Sequence, residues 1–271
     1  MTTEPASRRR RPRPRPPLLL LVLAGLGLAV FAIPLVGLLI RTPWAEVPNL
    51  ITTDVVLEAL GLSIAVSLTA SAIALLVGLP LAWLLARVEF PLRWLVRGIV
   101  TLPLVLPPVV GGAALLFALG RRGVLGEPLY EATGILLPFS VWGVVAATTF
   151  VSLPFLVITV EGALHSLDER YEMAAASLGA RRWAVMMRVT FPMVAPSIVA
   201  GSVLTWARAF GEFGATITFA GNLQGETQTL PLAVFVALES DRDAAVAISL
   251  LMVVVSLIVL VALRDRWWRS L

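Results

Sequence analysis

Long stretches without charge set the terms for this chain. Residues 18–40, 59–86, 98–120, 132–160 and 244–263 carry no charged side chain, and a further stretch, 189–220, is interrupted only by Arg208 and Glu212. Each is at least the roughly 20 residues that a helix needs to cross a hydrocarbon layer of about 30 Å. Only helices or closed barrels satisfy their backbone there, and runs of this length read as helices. The expectation is therefore an all-α integral membrane protein with six transmembrane helices. A chain that is 58% hydrophobic, with a mean hydropathy of +0.91, does not fit a soluble globule.

Arginine sets the orientation. Arg8 to Arg15, Arg87, Arg93, Arg97, Arg170, Arg181, Arg182, Arg188, Arg264, Arg266 and Arg269 fall on one side of the six expected spans, and only Arg41, Arg121, Arg122 and Arg242 on the other. Cytoplasmic loops carry the excess of basic residues, so both termini are expected inside, an N-in/C-in arrangement. Residues 1–17, basic and rich in proline, read as a cytoplasmic tail that has too little apolar surface to fold. A twin-arginine export signal is the alternative, but residues 18–40 are long enough to span and no small-residue cleavage site follows. Residues 18–266 then form one transmembrane domain.

Missing residue types exclude much chemistry. The chain has no cysteine, a single histidine, His165, and no lysine, since all 21 basic side chains are arginine. Disulfides, thiolate metal sites and imidazole clusters are ruled out. So are a phosphate-binding loop ending in Gly-Lys-Ser/Thr and a lysine Schiff base. No cofactor is expected, and any ATP that drives this protein is hydrolysed by another chain. Nothing points to nucleic acid.

One interior segment, 161–196, mixes charge with helical periodicity and so belongs in water or at the membrane surface. With both termini inside, it lies on the cytoplasmic side. Ser166 and Glu169 fit a capping box at a helix start. Ala174, Ala175 and Leu178 then share a face, and Gly179 supplies the stop. The small-residue face suits close approach by another protein. An ordinary interfacial helix joining two spans would show the same spacing.

Three further features stand out. In the fifth span Gly201, Thr205, Arg208, Glu212 and Thr216 recur at steps of three or four and form one polar stripe. Arg and Glu each cost about 3 kcal/mol near mid-bilayer on insertion scales, so they should face a cavity or each other. The stripe is either a structural ion pair that sets helix rotation or the lining or gate of a pathway. Pro103, Pro107 and Pro108 cannot complete a helix ladder in the third span, which leaves a broken helix or a kinked entry, and the cluster's place close to the inner end favours the kink. Outside, Gly120–Gly123 and residues 221–231 read as polar loops, with Arg121 and Arg122 able to attract an anion or dock a partner, and residues 230–238 as a short peripheral helix.

The segment after Ser166 resembles the cytoplasmic coupling motif of ABC importer permeases: Ala174, Ala175, Gly179 and, thirteen residues on, Pro192, preceded by the apolar Val189 and Phe191. The motif's glutamate falls on Met173, with Glu172 one place earlier. LPLVLPPVVGG, GRRG, GEFGATITFAGN and GETQTLPLAVF are similar to the membrane subunit of bacterial molybdate ABC importers, a resemblance that covers most of residues 51–263. Sulfate permeases of the same superfamily share the architecture. The resemblance implies a type I ABC importer permease in the bacterial plasma membrane. It would work as a homodimer with two cytoplasmic ATPase subunits and an external oxyanion-binding protein, and carry molybdate or its analogue tungstate. Tyr171, Glu172, Ala174, Ala175, Leu178, Gly179 and Pro192 would couple to the ATPase, and Thr205, Arg208, Glu212 and Thr216 are candidates for the pathway or its gate. A proton-coupled carrier or channel would accommodate six spans and the Arg208–Glu212 pair, but leaves the short helix without a purpose. An intramembrane enzyme finds no catalytic set.

Overall fold

The computed structural model describes residues 17–268, with side chains to residue 262. The expected basic tail up to residue 16, Arg269 and the side chains of Arg264 and Arg266 lie outside what is described. The first of two units contains α1 (Leu18–Arg41), a helix apolar on all sides. The second, from Pro43 onward, contains the rest. Its helices are α2 (Val47–Ile51), α3 (Asp54–Arg87), α4 (Arg93–Val105), α5 (Pro108–Leu119), α6 (Gly126–Thr133) and α7 (Val141–Ser166). There follow α8 (Arg170–Ser177), α9 (Arg182–Phe210), α10 (Gly214–Phe219), α11 (Leu230–Ser240) and α12 (Arg242–Trp268).

Proline explains much of the local geometry. A widened π turn occupies Ala74–Gly78 in α3, just before Pro80, and another occupies Met186–Thr190 in α9, just before Pro192. A proline inside a helix lacks the amide that would bond four residues back, and its ring presses on that carbonyl. Winding one turn more loosely relieves the clash without breaking the helix. At Leu106 and Pro107 the strain is resolved differently. Both residues are extended, with ψ of 135° and 133°, so the chain leaves α4 and starts α5 afresh. The kink expected at the Pro103–Pro108 cluster is therefore a break: two consecutive prolines remove two successive ladder amides, more than a π turn absorbs.

That break also bears on the number of spans. Five helices among the described residues are long and apolar enough to cross a membrane: Leu18–Arg41, Asp54–Arg87, Val141–Ser166, Arg182–Phe210 and Arg242–Ala262. The remaining apolar stretch, 98–120, is shared between α4 and α5, which at 1.5 Å per residue are about 20 Å and 18 Å long.

Within the second unit, α7 is the central helix and packs against α3, α4, α5, α9 and α10. It runs parallel to α3. Val66 clusters with Val144 and Val145, and further along Gly78 faces Leu153, Leu156 and Val157. It runs antiparallel to α9, whose Gly201 meets Leu156 and Thr159 while Val194 clusters with Leu164. Small residues at these crossings let the backbones approach, since apolar side chains gain little over lipid by burying against each other.

One expectation is corrected here. The short helix α11 is not peripheral: Leu230, Leu232 and Ala233 are buried, and Leu230 and Ala233 share a cluster with Val56, Trp206, Phe210 and Ile248. The polar loop before it is exposed over residues 223–226 and turns inward at its end. Thr227, Gln228 and Thr229 are buried, Thr227 accepts from the Leu223 amide at 2.9 Å, and the Leu230 amide donates to Ser63 at 2.7 Å. Side-chain oxygens take over the backbone groups that water would satisfy in an open loop.

Candidate functional site

The charged end of the bundle is built around Arg87, the last residue of α3. Its guanidinium spans Glu169 at 3.0 Å and Glu172 at 3.3 Å, and Thr190 in α9 donates to the same Glu172 oxygen at 2.8 Å. Arg87 thus clips the short helix α8 to the spans on either side. Nearby Arg97 of α4 donates to the buried Glu161 of α7, with Nε at 3.0 Å, and His165 stands 3.6 Å from the same carboxylate. Five elements meet at this end through partners far apart in sequence, and the sequence reading missed them.

The start of α8 differs from the expected capping box. Ser166 is the last residue of α7, and its hydroxyl turns back to the Gly162 carbonyl at 3.0 Å, while Glu169 is committed to Arg87. Asp168 takes the Arg170 amide instead, at 3.0 Å. The end of α8 follows the expectation. Gly179 has φ of +84°, its amide donates to Ala176 and that of Ala180 to Ala175, the paired bonds of a Schellman stop.

The candidate coupling residues divide between two faces. Glu172 and Ala175 are half-buried toward the spans, whereas Tyr171, Ala174, Leu178 and Gly179 are exposed. Leu178 is 90% exposed, Tyr171, seven residues earlier on the same face, is 56% exposed, and Met173 on another face is 58% exposed. Pro192, on α9, is exposed as well. Replacing Arg87 with Ala removes two charge-assisted contacts, each worth about 1.5–3 kcal/mol at most when shielded. The expected outcome is faster amide hydrogen exchange across residues 168–178 with protection in α7 retained. Unchanged exchange in α8 would show that the clip contributes nothing.

The other candidates lie deeper. Arg208 and Glu212 form the expected ion pair, and Glu212 is 2% exposed. The stripe itself is interrupted: α9 ends at Phe210, and Thr216 sits on the separate helix α10. Glu212 is the reason the chain can restart there, because its Oε1 accepts the Ala215 amide at 2.8 Å and supplies a cap that a helix start needs. Thr205 and Thr216 are fully buried, and their hydroxyls have no hydrogen-bond partner among the described residues.

The two breaks lie side by side. A Cβ on Gly214 would stand 2.8 Å from Pro108, and one on Gly112 would stand 2.7 Å from both the Ala215 carbonyl and Thr218. The interruption in α4–α5 is therefore packed directly against the interruption in α9–α10. Irregular backbone at membrane depth persists only where protein covers it or where it lines a water-filled cavity. The signals in sequence were Pro107-Pro108 and the Gly211-Glu-Phe-Gly214 run. At the opposite end from Arg87, Arg121 lies over the Tyr130 ring at 4.7 Å and reaches its hydroxyl at 3.3 Å.

Residues 74–269 match the family described as the binding-protein-dependent transport system inner membrane component. The chain belongs to that family. This permease is 49% identical over 240 residues to the molybdenum transport system permease protein of Mycobacterium tuberculosis, covering 89% of this chain and 90% of the relative. Against the protein of the same description in Escherichia coli K12 it is 42% identical over 218 residues, 80% of this chain and 95% of the other. The permease fold is that of the ABC importers. A bacterial ABC transporter involved in alginate import superposes with a TM-score of 0.71 at 19% identity, covering 93% of this chain and 94% of that one. The methionine ABC transporter in an inward-facing conformation gives 0.63 at 16% identity, over 79% and 95%. The permease is thus a multi-pass inner membrane protein and a non-catalytic transport subunit.

Proposed function

We propose that this permease is the membrane subunit of an ATP-driven importer for molybdate, working as two copies with two cytoplasmic ATPase subunits and an external binding protein. The observation that carries the coupling is helix α8. It presents Tyr171 and Leu178, seven residues apart and so on one face, outward, on a helix that Arg87 holds against the spans. An exposed apolar edge on a clipped helix suits a cleft in a partner, and the clip passes displacement of the partner on to α3 and, through Thr190, to α9. Nucleotide drives transport only through a difference in its affinity for the two states, so α8 transmits force and does not contact cargo.

The abutting breaks supply the moving part of the same reading. Displacement of α9 reaches its end at Phe210, where Gly211, Glu212 and Phe213 separate it from α10, and α10 carries the motion to α5. Thr205 and Thr216, buried and unpaired, are hydroxyl donors for a doubly charged oxyanion when these helices part, while Arg208 neutralises Glu212 so that the carboxylate does not repel it. Weak donors suit conduction, because a tight site would trap the ion. Molybdate as cargo rests on the 49% and 42% identical relatives.

The test is uptake of labelled molybdate at trace concentration in a strain lacking the gene and in the complemented strain, with excess tungstate or sulfate. Uptake that is lost, restored, and competed by tungstate but not sulfate is expected. A deletion that spares molybdate uptake and reduces sulfate uptake would overturn the choice of cargo and leave the transporter class standing.

A further inference from the structure

A groove of about 510 Å³ lies between the second half of α3 and the start of α9, within the range of about 300–1,000 Å³ typical of small-molecule sites. Its walls include Leu75, Leu79, Trp83, Trp183 and Met187, and its one charged lining residue is Arg182. Both π turns open onto it, since Leu75 and Leu76 belong to one and Met186 and Met187 to the other. Such turns displace side chains from regular spacing and recur at functional sites. Trp83 lies four residues before Arg87, so the groove runs from the charged end of the bundle into the apolar layer. Two tryptophans at that depth are the pattern of a membrane interface.

Arginine decides what such a groove takes. Arg182 is exposed, and among the described residues no carboxylate pairs with it or with its neighbours Arg181 and Arg188. We propose that the groove holds one acyl chain of an anionic phospholipid, with the headgroup phosphate on Arg182. A long apolar trough with a cation at its interfacial end matches an amphiphile, and the bilayer is the medium that surrounds it. A transmembrane helix of a second copy would leave Arg182 without a counter-charge. The inference needs only the membrane location and not the cargo.

Because the chain has no cysteine, Leu76→Cys provides a single attachment point at the groove. The labelled permease, carrying bimane there, is reconstituted in phosphatidylcholine vesicles with rising fractions of brominated phosphatidylglycerol or brominated phosphatidylcholine. Quenching by the anionic lipid at lower mole fraction is expected. Arg182→Gln should weaken that preference about fivefold, the effect of one cation near an anionic headgroup, and Arg122→Gln on the far loop should leave it intact. Leu79→Trp, which fills the groove, should reduce quenching by both lipids. Equal quenching by the two lipids, or a preference that survives Arg182→Gln, would overturn the proposal. So would efficient disulfide formation between two copies of the unlabelled Leu76→Cys variant, which would place a second chain in the groove.

Discussion

Replacing Arg208 with Met is expected to destabilise the folded permease by about 3–5 kcal/mol, toward the lower end because the arginine is partly exposed. Glu212 is almost fully buried, and without Arg208 its charge has no counter-ion. Removing one member of a buried pair costs more than the pair contributes, because the survivor stays desolvated. The double variant Arg208→Met with Glu212→Gln should recover most of the loss. Glutamine keeps an oxygen for the Ala215 amide, so the start of α10 remains capped while the buried charge is gone. Thermal unfolding in detergent checks both. If Arg208→Met alone melts with the parent, the pair has no structural weight; if the double variant is as unstable as the single, the carboxylate matters for something other than its charge.

Gly112→Val is expected to separate α5 from α10, at the upper end of the roughly 1–3 kcal/mol that overpacking costs. The first added carbon would already meet the Ala215 carbonyl and Thr218 at 2.7 Å and the Ala215 Cα at 3.0 Å. Backbone on the facing element cannot rotate away as a side chain can. Gly98→Ala in α4 is the matched control, since nothing lies within 4 Å of that position and alanine is the better helix former. A lowered melting point for Gly112→Val beside an unchanged or raised one for Gly98→Ala is the expected pair of results. Equal melting points would mean that the two breaks are not tightly packed. Under the proposed transport cycle, Gly112→Val should also abolish uptake, because the contact it disrupts is the one through which α10 would move α5.

Local pattern was a sound guide wherever the interaction was itself local. Arg208 and Glu212 stand four residues apart across the last turn of α9, a spacing that brings side chains together wherever the chain keeps a helical turn. Gly179 ends α8 because a left-handed residue there is set by its own backbone. The polar stripe failed at Phe210 for the opposite reason. Periodicity through Thr216 is preserved in sequence, but whether a helix continues depends on what the chain meets, and Gly214 is pressed against Pro108. The proline cluster was visible, and the break at Leu106 and Pro107 follows from it; that this break would lie against Gly214 was not.

By itself the sequence determined an all-helical membrane protein, the absence of cysteine and lysine, and the family, because apolar run length, residue inventory and motif spacing belong to the chain and not to its neighbours. Only the tertiary structure decided that Arg87 would clip α8 from 82 and 85 residues away, that Thr227 to Thr229 would be buried, and that two helix breaks would abut. A charge or hydroxyl leaves water only where a partner from another element awaits it, and which elements meet is a property of the packed bundle.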